Sequence, residues 1–296
     1  MKNNSQISVP STVYIVGPTA SGKSALAMAM AEELGHAEIV CADSQTVRKH
    51  MDIGTAKPTL ADRARVRHHC LDLIEPYEAF SLHAYLDHAR KAIADIHRRG
   101  AVAIVVGGTG LYVDALYFDF TLPKLTGLTP TDNEQYEKLE VDALQKMIID
   151  RALELPENTQ NKRHLVNKLL RDGQNGMRSL PDASSCIVGL APEREVLKER
   201  LLERTESMFA MGFVAEVQGI LATYGRPPKT IDAIAYKIIM RLLDGEMTEQ
   251  QAKEAIHIAE RQYAKRQMTW FKRNKDIVWF TEAESAKAYL HSICRQ

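Results

Sequence analysis

Gly17-Pro-Thr-Ala-Ser-Gly-Lys-Ser24 is the stretch on which the fold turns. It satisfies G-x4-G-K-[ST], a turn whose backbone N–H groups surround phosphate oxygens while the lysine neutralises charge and the hydroxyl ligates Mg²⁺. Its flanks supply the required context. Thr12-Val-Tyr-Ile-Val16 is a short β-rich apolar run, and Ala25 to Leu34 is built from strong helix formers. A chance glycine-rich turn does not bring strand and helix with it. The order strand, loop, helix therefore predicts a diphosphate or triphosphate site made by Gly17, Thr19, Ala20, Ser21, Gly22, Lys23 and Ser24, with Ser24 on Mg²⁺.

Outward from this loop the same pattern repeats. Glu38-Ile-Val-Cys-Ala42 leads into Asp43, and Ala101 to Val106 stops at Gly107-Gly108 after an amphipathic stretch, Leu82 to Arg99. Continuous apolar runs alternating with helices predict a parallel sheet covered on both faces. Cys186 to Leu190 is a further strand, Glu193 to Met211 a helix, Thr248 to Lys272 a long basic helix and Ile277 to Phe280 a last strand. Between them, Leu122 to Pro130 is rich in Pro, Thr and Gly and opens a polar segment of helical period. The expected fold is an α/β P-loop NTPase-like parallel sheet flanked by helices, formed by 1–121 and 174–296, with an all-helical insertion over 122–173.

At 296 residues the chain is long enough for one large domain and a smaller attachment. Apolar residues make up 45%, and 38 acidic side chains balance 38 basic ones, so net charge points to no partner. Cys41, Cys70, Cys186 and Cys294 lack CxxC spacing, which argues against a zinc site and a disulfide framework. The amino end is polar, and no run approaches the length of a membrane span. A soluble, cytoplasmic protein without a membrane partner is expected.

Asp43 follows the second strand, placing it at the carboxyl edge of a parallel sheet, beside the phosphate loop, where ligands of such folds bind. A carboxylate there can serve as general base or hold a metal, and equally can cap a turn. Two further loops, Asp52-Ile-Gly-Thr-Ala-Lys-Pro58 and Val106-Gly-Gly-Thr-Gly-Leu-Tyr112, bring glycine and threonine to the same edge. His68-His69-Cys70 suggests metal, but adjacent side chains diverge and no second ligand pair follows.

In that order, the phosphate loop, Asp43-Ser44 and the two Gly/Thr loops resemble the bacterial tRNA dimethylallyltransferases. The likeness continues through Arg194-Glu195, Arg200, Met208, Tyr236-Lys237 and Arg261 to Gln267, and ends in Thr269-Trp-Phe271. It implies transfer of a dimethylallyl group from its diphosphate to N6 of the adenine beside the anticodon. Asp43 would accept the amine proton, while the phosphate loop, Thr109 and Arg200 hold the departing diphosphate with Mg²⁺. Ser44, Gln45, Thr46, Arg163, His164, Lys237, Arg261 and Lys265 would face the tRNA anticodon stem-loop. A monomer is expected.

The sequence departs from that family pattern at Arg48, His164, Asn167, Ala235, Ile238 and Glu260, mostly where RNA would bind. Three other readings follow: prenylation of a free adenine nucleotide, a P-loop small-molecule kinase, and a binding protein that has lost catalysis. Against the kinase, the strand ending in Gly107-Gly108 carries no acidic residue.

Overall fold

Tyr14 and Val16 point to one side of their strand, Val13 and Ile15 to the other, and all four are buried. Such a strand needs cover on both faces, and the computed structural model, which describes residues 10–122, 135–171, 176–227 and 233–294, supplies it. In chain order the elements are β1 (Thr12–Val16), α1 (Lys23–Leu34), β2 (Ala37–Cys41), α2 (Leu60–Arg65), β3 (His68–His69), α3 (Leu82–Arg98), β4 (Val102–Gly107) and α4 (Gly110–Tyr117). There follow α5 (Val141–Asp150), α6 (Lys162–Leu170), β5 (Ser185–Leu190), α7 (Arg194–Ala210), α8 (Phe213–Tyr224), α9 (Ile234–Leu243), α10 (Glu249–Phe271), β6 (Val278–Phe280) and α11 (Ala283–Cys294).

The strands form one six-stranded sheet in the order β3-β2-β4-β1-β5-β6, and every pairing is parallel. Ile15 lies opposite Val106 on one side and Val188 on the other. One face packs Val13, Ile15, Ile104 and Val188 against Leu26 and Met30 of α1 and Leu290 of α11. The other face is covered by α3 and α4, where the Tyr85 and Tyr112 rings stack at 4.0 Å. Burying each of these large apolar side chains contributes about 1.5–3 kcal/mol. The helices α7 to α10 close around a second core containing Met208, Phe213, Val217, Ile239 and Ile256.

The connection from β1 runs to β2, whereas that from β4 runs to β5 on the opposite side of β1. Neighbouring strands whose connections diverge leave a crevice at their carboxyl ends, the usual ligand position in open α/β sheets. Here the loops bordering it are those after Val16 and Gly107.

Two compact units emerge, Met1–Tyr117 with Pro181–Gln296, and Phe118–Leu180. The second packs α5 and α6 around Leu144, Ile148, Leu165 and Leu169, and also holds an antiparallel bridge between Thr121 and Met177. Of the linker segment Leu122 to Pro130, all but Leu122 lies outside the described residues, as does the boundary at 173 and 174. His68 and His69 belong to a two-residue edge strand. His69 Nε2 meets Glu38 Oε2 at 2.6 Å, and His68 Nδ1 lies 2.7 Å from the Val66 carbonyl. No helix among the described residues is long and apolar enough to cross a membrane.

Candidate active site

The phosphate loop delivers an open helix end. Gly22 precedes α1 with φ 94°, a left-handed conformation natural to glycine, and no side chain caps the helix. Its first turn carries no acidic residue, so the N–H groups and the positive end of the helix dipole are available to an anion. Lys23 Nζ donates to the Pro18 carbonyl at 3.0 Å, which folds the lysine back over the loop. Burial pushes its ammonium down to about 8, against the opposing pull of the Asp43 charge. Such a cation is poorly solvated and gains from an arriving phosphate. The Ser21 hydroxyl is buried without a hydrogen-bond partner, while Ser24 is exposed.

Asp43 stands where the sequence placed it, just beyond β2. Its Oδ1 accepts the Gln45 N–H at 2.8 Å, so the turn-capping role is real, and the same carboxylate lines a cavity of about 880 Å³ shared with Lys23. Thr109 braces this turn, its Oγ1 accepting the Ser44 N–H at 3.0 Å and its own N–H donating to the Ala42 carbonyl at 3.2 Å. Ser44, Gln45 and Thr46 line the cavity beside Asp43.

The two arginines of α7 divide their tasks. Arg200 is exposed and donates from Nη1 to the Ser21 carbonyl at 3.2 Å, supporting the loop through its backbone. Arg204, one turn on, lines the cavity and pairs through Nε with Glu260 Oε1 at 2.9 Å. The inward stripe of α10 is Ile256, Ala259, Glu260, Tyr263 and Gln267, at the spacing of one helix face. Burial first, and then the Asp43 charge, raise the Tyr263 hydroxyl above its ordinary range, so it remains a protonated donor. Arg204, Tyr263 and Gln267 were not selected as site residues from sequence. A charged residue of α7 and scattered polar residues on a basic helix carry no local signal of which face turns inward.

Glu216 of α8 is another residue that sequence reasoning missed. Its carboxylate accepts the N–H groups of Asp52, Ile53 and Gly54 at 2.9, 2.7 and 3.3 Å and the Tyr236 hydroxyl at 2.6 Å, fixing the loop Asp52 to Pro58. In that loop Lys57, with a fully buried side chain, is paired with Asp52 at 2.6 Å and Asp72 at 2.7 Å. Its charge is spent on structure.

Residues expected on the RNA side fall into two groups. Lys237, Arg261 and Lys265 are exposed on α9 and α10 in the first unit; Arg163 and His164 are exposed on α6 in the second. The departures are largely absorbed by packing. Arg48 donates to the carbonyls of Pro76 at 2.6 Å and Glu78 at 2.9 Å, Ile238 is buried, and Glu260 holds Arg204.

The model of the IPP transferase family matches residues 46–274. A tRNA dimethylallyltransferase 1 of Citrifermentans bemidjiense is 40% identical over 280 residues, covering 90% of each chain. The tRNA dimethylallyltransferase of Shouchella clausii is 36% identical, covering 95% of this chain and 96% of its own. Among solved structures, the full-length tRNA isopentenylpyrophosphate transferase of Bacillus halodurans superposes with a TM-score of 0.72 at 30% identity, over 97% of both chains.

Proposed function

Because this chain belongs to the IPP transferase family, we propose that it transfers a dimethylallyl group from dimethylallyl diphosphate to N6 of the adenine 3′ of the anticodon, position 37, in tRNAs reading codons that begin with U. Diphosphate is released. The observation that carries this reading is that an anion-binding loop and a carboxylate open into one cavity.

In the reaction the bond between the prenyl carbon and the diphosphate oxygen breaks as the N6–carbon bond forms. The amine proton passes to Asp43. Negative charge grows on the leaving diphosphate, so preorganised donors there stabilise the transition state most. Lys23 and the uncapped N–H groups at the start of α1, those of Gly22, Lys23 and Ser24, take that role, with Arg204 as a cavity cation; Arg200 and Thr109 hold the two loops in shape. The adenine must leave the anticodon stack to reach a half-buried carboxylate, and Ser44, Gln45 and Thr46 line its way in. Outside the cavity, Lys237, Arg261 and Lys265 offer charge to RNA phosphates.

Among the described residues no cluster of three acidic, histidine or cysteine side chains forms a closed metal cage. The Ser24 hydroxyl at the loop suits Mg²⁺, which keeps waters and takes substrate phosphate oxygens in its shell. When bound, the ion would neutralise charge on the diphosphate.

Purified protein with dimethylallyl diphosphate and an unmodified anticodon stem-loop is expected to yield one prenylated adenosine per diphosphate released, without ATP. ATP consumption, or no product on a full panel of stem-loops by a folded protein, contradicts the reading.

A further inference from the structure

Gln267 sits near the end of α10 and is 5% exposed, yet its amide spans the switch crevice of the sheet. Oε1 accepts the Thr19 N–H of the phosphate loop at 2.8 Å, and Nε2 donates to the Gly108 carbonyl, just after β4, at 2.9 Å. Both partners are main-chain groups of fixed polarity, so the amide has one satisfied orientation. A Cβ at Gly108 would lie 2.2 Å from Nε2, so the contact requires glycine there. The next residue, Thr109, holds the N–H of Ser44 and with it the turn bearing Asp43. Tyr263, one turn earlier on α10, sits beside both Thr109 and Gln267. An unbroken series of contacts thus runs from the diphosphate loop through Gln267 to the carboxylate.

We propose that Gln267 is a positioning residue for alkyl transfer: its amide locks the loop that holds the leaving diphosphate against the loop that braces Asp43. This rests on the functional reading above. The loop for the leaving group follows β1 and the loop that braces the proton acceptor follows β4; the sheet pairs these strands only as far as Val16 and Gly107, and Gln267 joins the loops beyond that point. Misplacement of reacting groups by about 1 Å can cost roughly 100-fold in rate, so a bond at this junction bears on chemistry more than on affinity. Glutamine is the side chain that can do this. Glutamate keeps the acceptor but sets a carboxylate against the Gly108 carbonyl, and methionine fills the space with neither bond.

The test compares Gln267→Glu and Gln267→Met in the full chain, with calorimetric binding of inorganic diphosphate and kcat across pH, each relative to the parent protein at the same pH. Diphosphate binding is expected to stay within about 3-fold in Gln267→Met, and in Gln267→Glu once its acid is protonated, which also reports that they fold. Gln267→Met should lose about 10- to 100-fold in kcat at every pH. Gln267→Glu should match that loss where its acid is ionised and recover as pH falls, because the protonated acid again donates to Gly108. Burial raises that acid's pKa and brings the recovery into reach. Parent-like kcat in both variants, a Gln267→Glu deficit independent of pH, or a loss confined to diphosphate affinity would each overturn the proposal. Should the parent protein fail to prenylate RNA, the functional reading falls on its own. The lock is then decided by hydrogen exchange at 17–22 and 107–110: faster exchange in Gln267→Met supports it, and unchanged exchange refutes it.

Discussion

The phosphate loop and helix α10 wall the same cavity, but they enter it in opposite ways. The loop offers the uncapped main-chain end of α1 together with Lys23, and that arrangement is written in eight adjacent residues. The helix contributes side chains spaced along one face, Ile256, Glu260, Tyr263 and Gln267, with Arg266 at the margin of the cavity, while Arg261 and Lys265 lie exposed away from it. A contiguous backbone site is legible as a motif. A helical stripe becomes legible only when packing shows which way it turns.

If the loop carries the leaving-group chemistry, Lys23→Met should have the largest effect on that side, about 10²–10³-fold in transfer, with weakened diphosphate binding. The same lysine gives a pH signature. In the free protein burial holds it at about 8, so above that pH it is neutral. Diphosphate favours the charged form, so donor affinity should fall as pH rises past 8, and binding there should take up protons. Calorimetry in buffers of different ionisation enthalpy reads this directly, and the absence of proton uptake would remove Lys23 from the anion site.

On the helix side, Tyr263→Phe removes one hydroxyl from the inward stripe and should lower kcat by about 3- to 10-fold, in keeping with the loss of one hydrogen-bonding group. Lys265→Ala, on the outward face, is the smallest change. It should leave kcat on saturating RNA unaltered, raise the KM for RNA by about 2- to 3-fold, and reduce the dependence of log KM on log salt by roughly 0.7–0.9. Equal effects from the two substitutions would erase the distinction between the faces.

Five strands of the sheet and the order of its elements are readable because their apolar runs follow the alternation of an α/β chain. Strand β3 is not, since two histidines at a sheet edge carry no apolar signal. Helix α11 also escaped notice, although Ala286, Leu290 and Cys294 fall four residues apart and all are buried against the sheet. At the site, Asp43 and Thr109 could be found because they follow strands directly. Arg204 could not be separated from Arg200, because the two share a helix side and only the pairing with Glu260 shows which reaches the cavity. Arg48 stands in sequence only as a departure from the family pattern, and in the structure it serves two carbonyls of its own fold.

The central claim is that Asp43 takes the amine proton while the loop Gly17 to Ser24 holds the leaving diphosphate, in one cavity but through separable groups. Single-turnover transfer to an anticodon stem-loop by Asp43→Ala, measured beside its binding of inorganic diphosphate, tests this most directly. The expected result is diphosphate binding within about 3-fold of the parent protein and transfer slowed by about 10²–10⁴-fold. Undiminished transfer, or loss of diphosphate binding in step with loss of transfer, would contradict it.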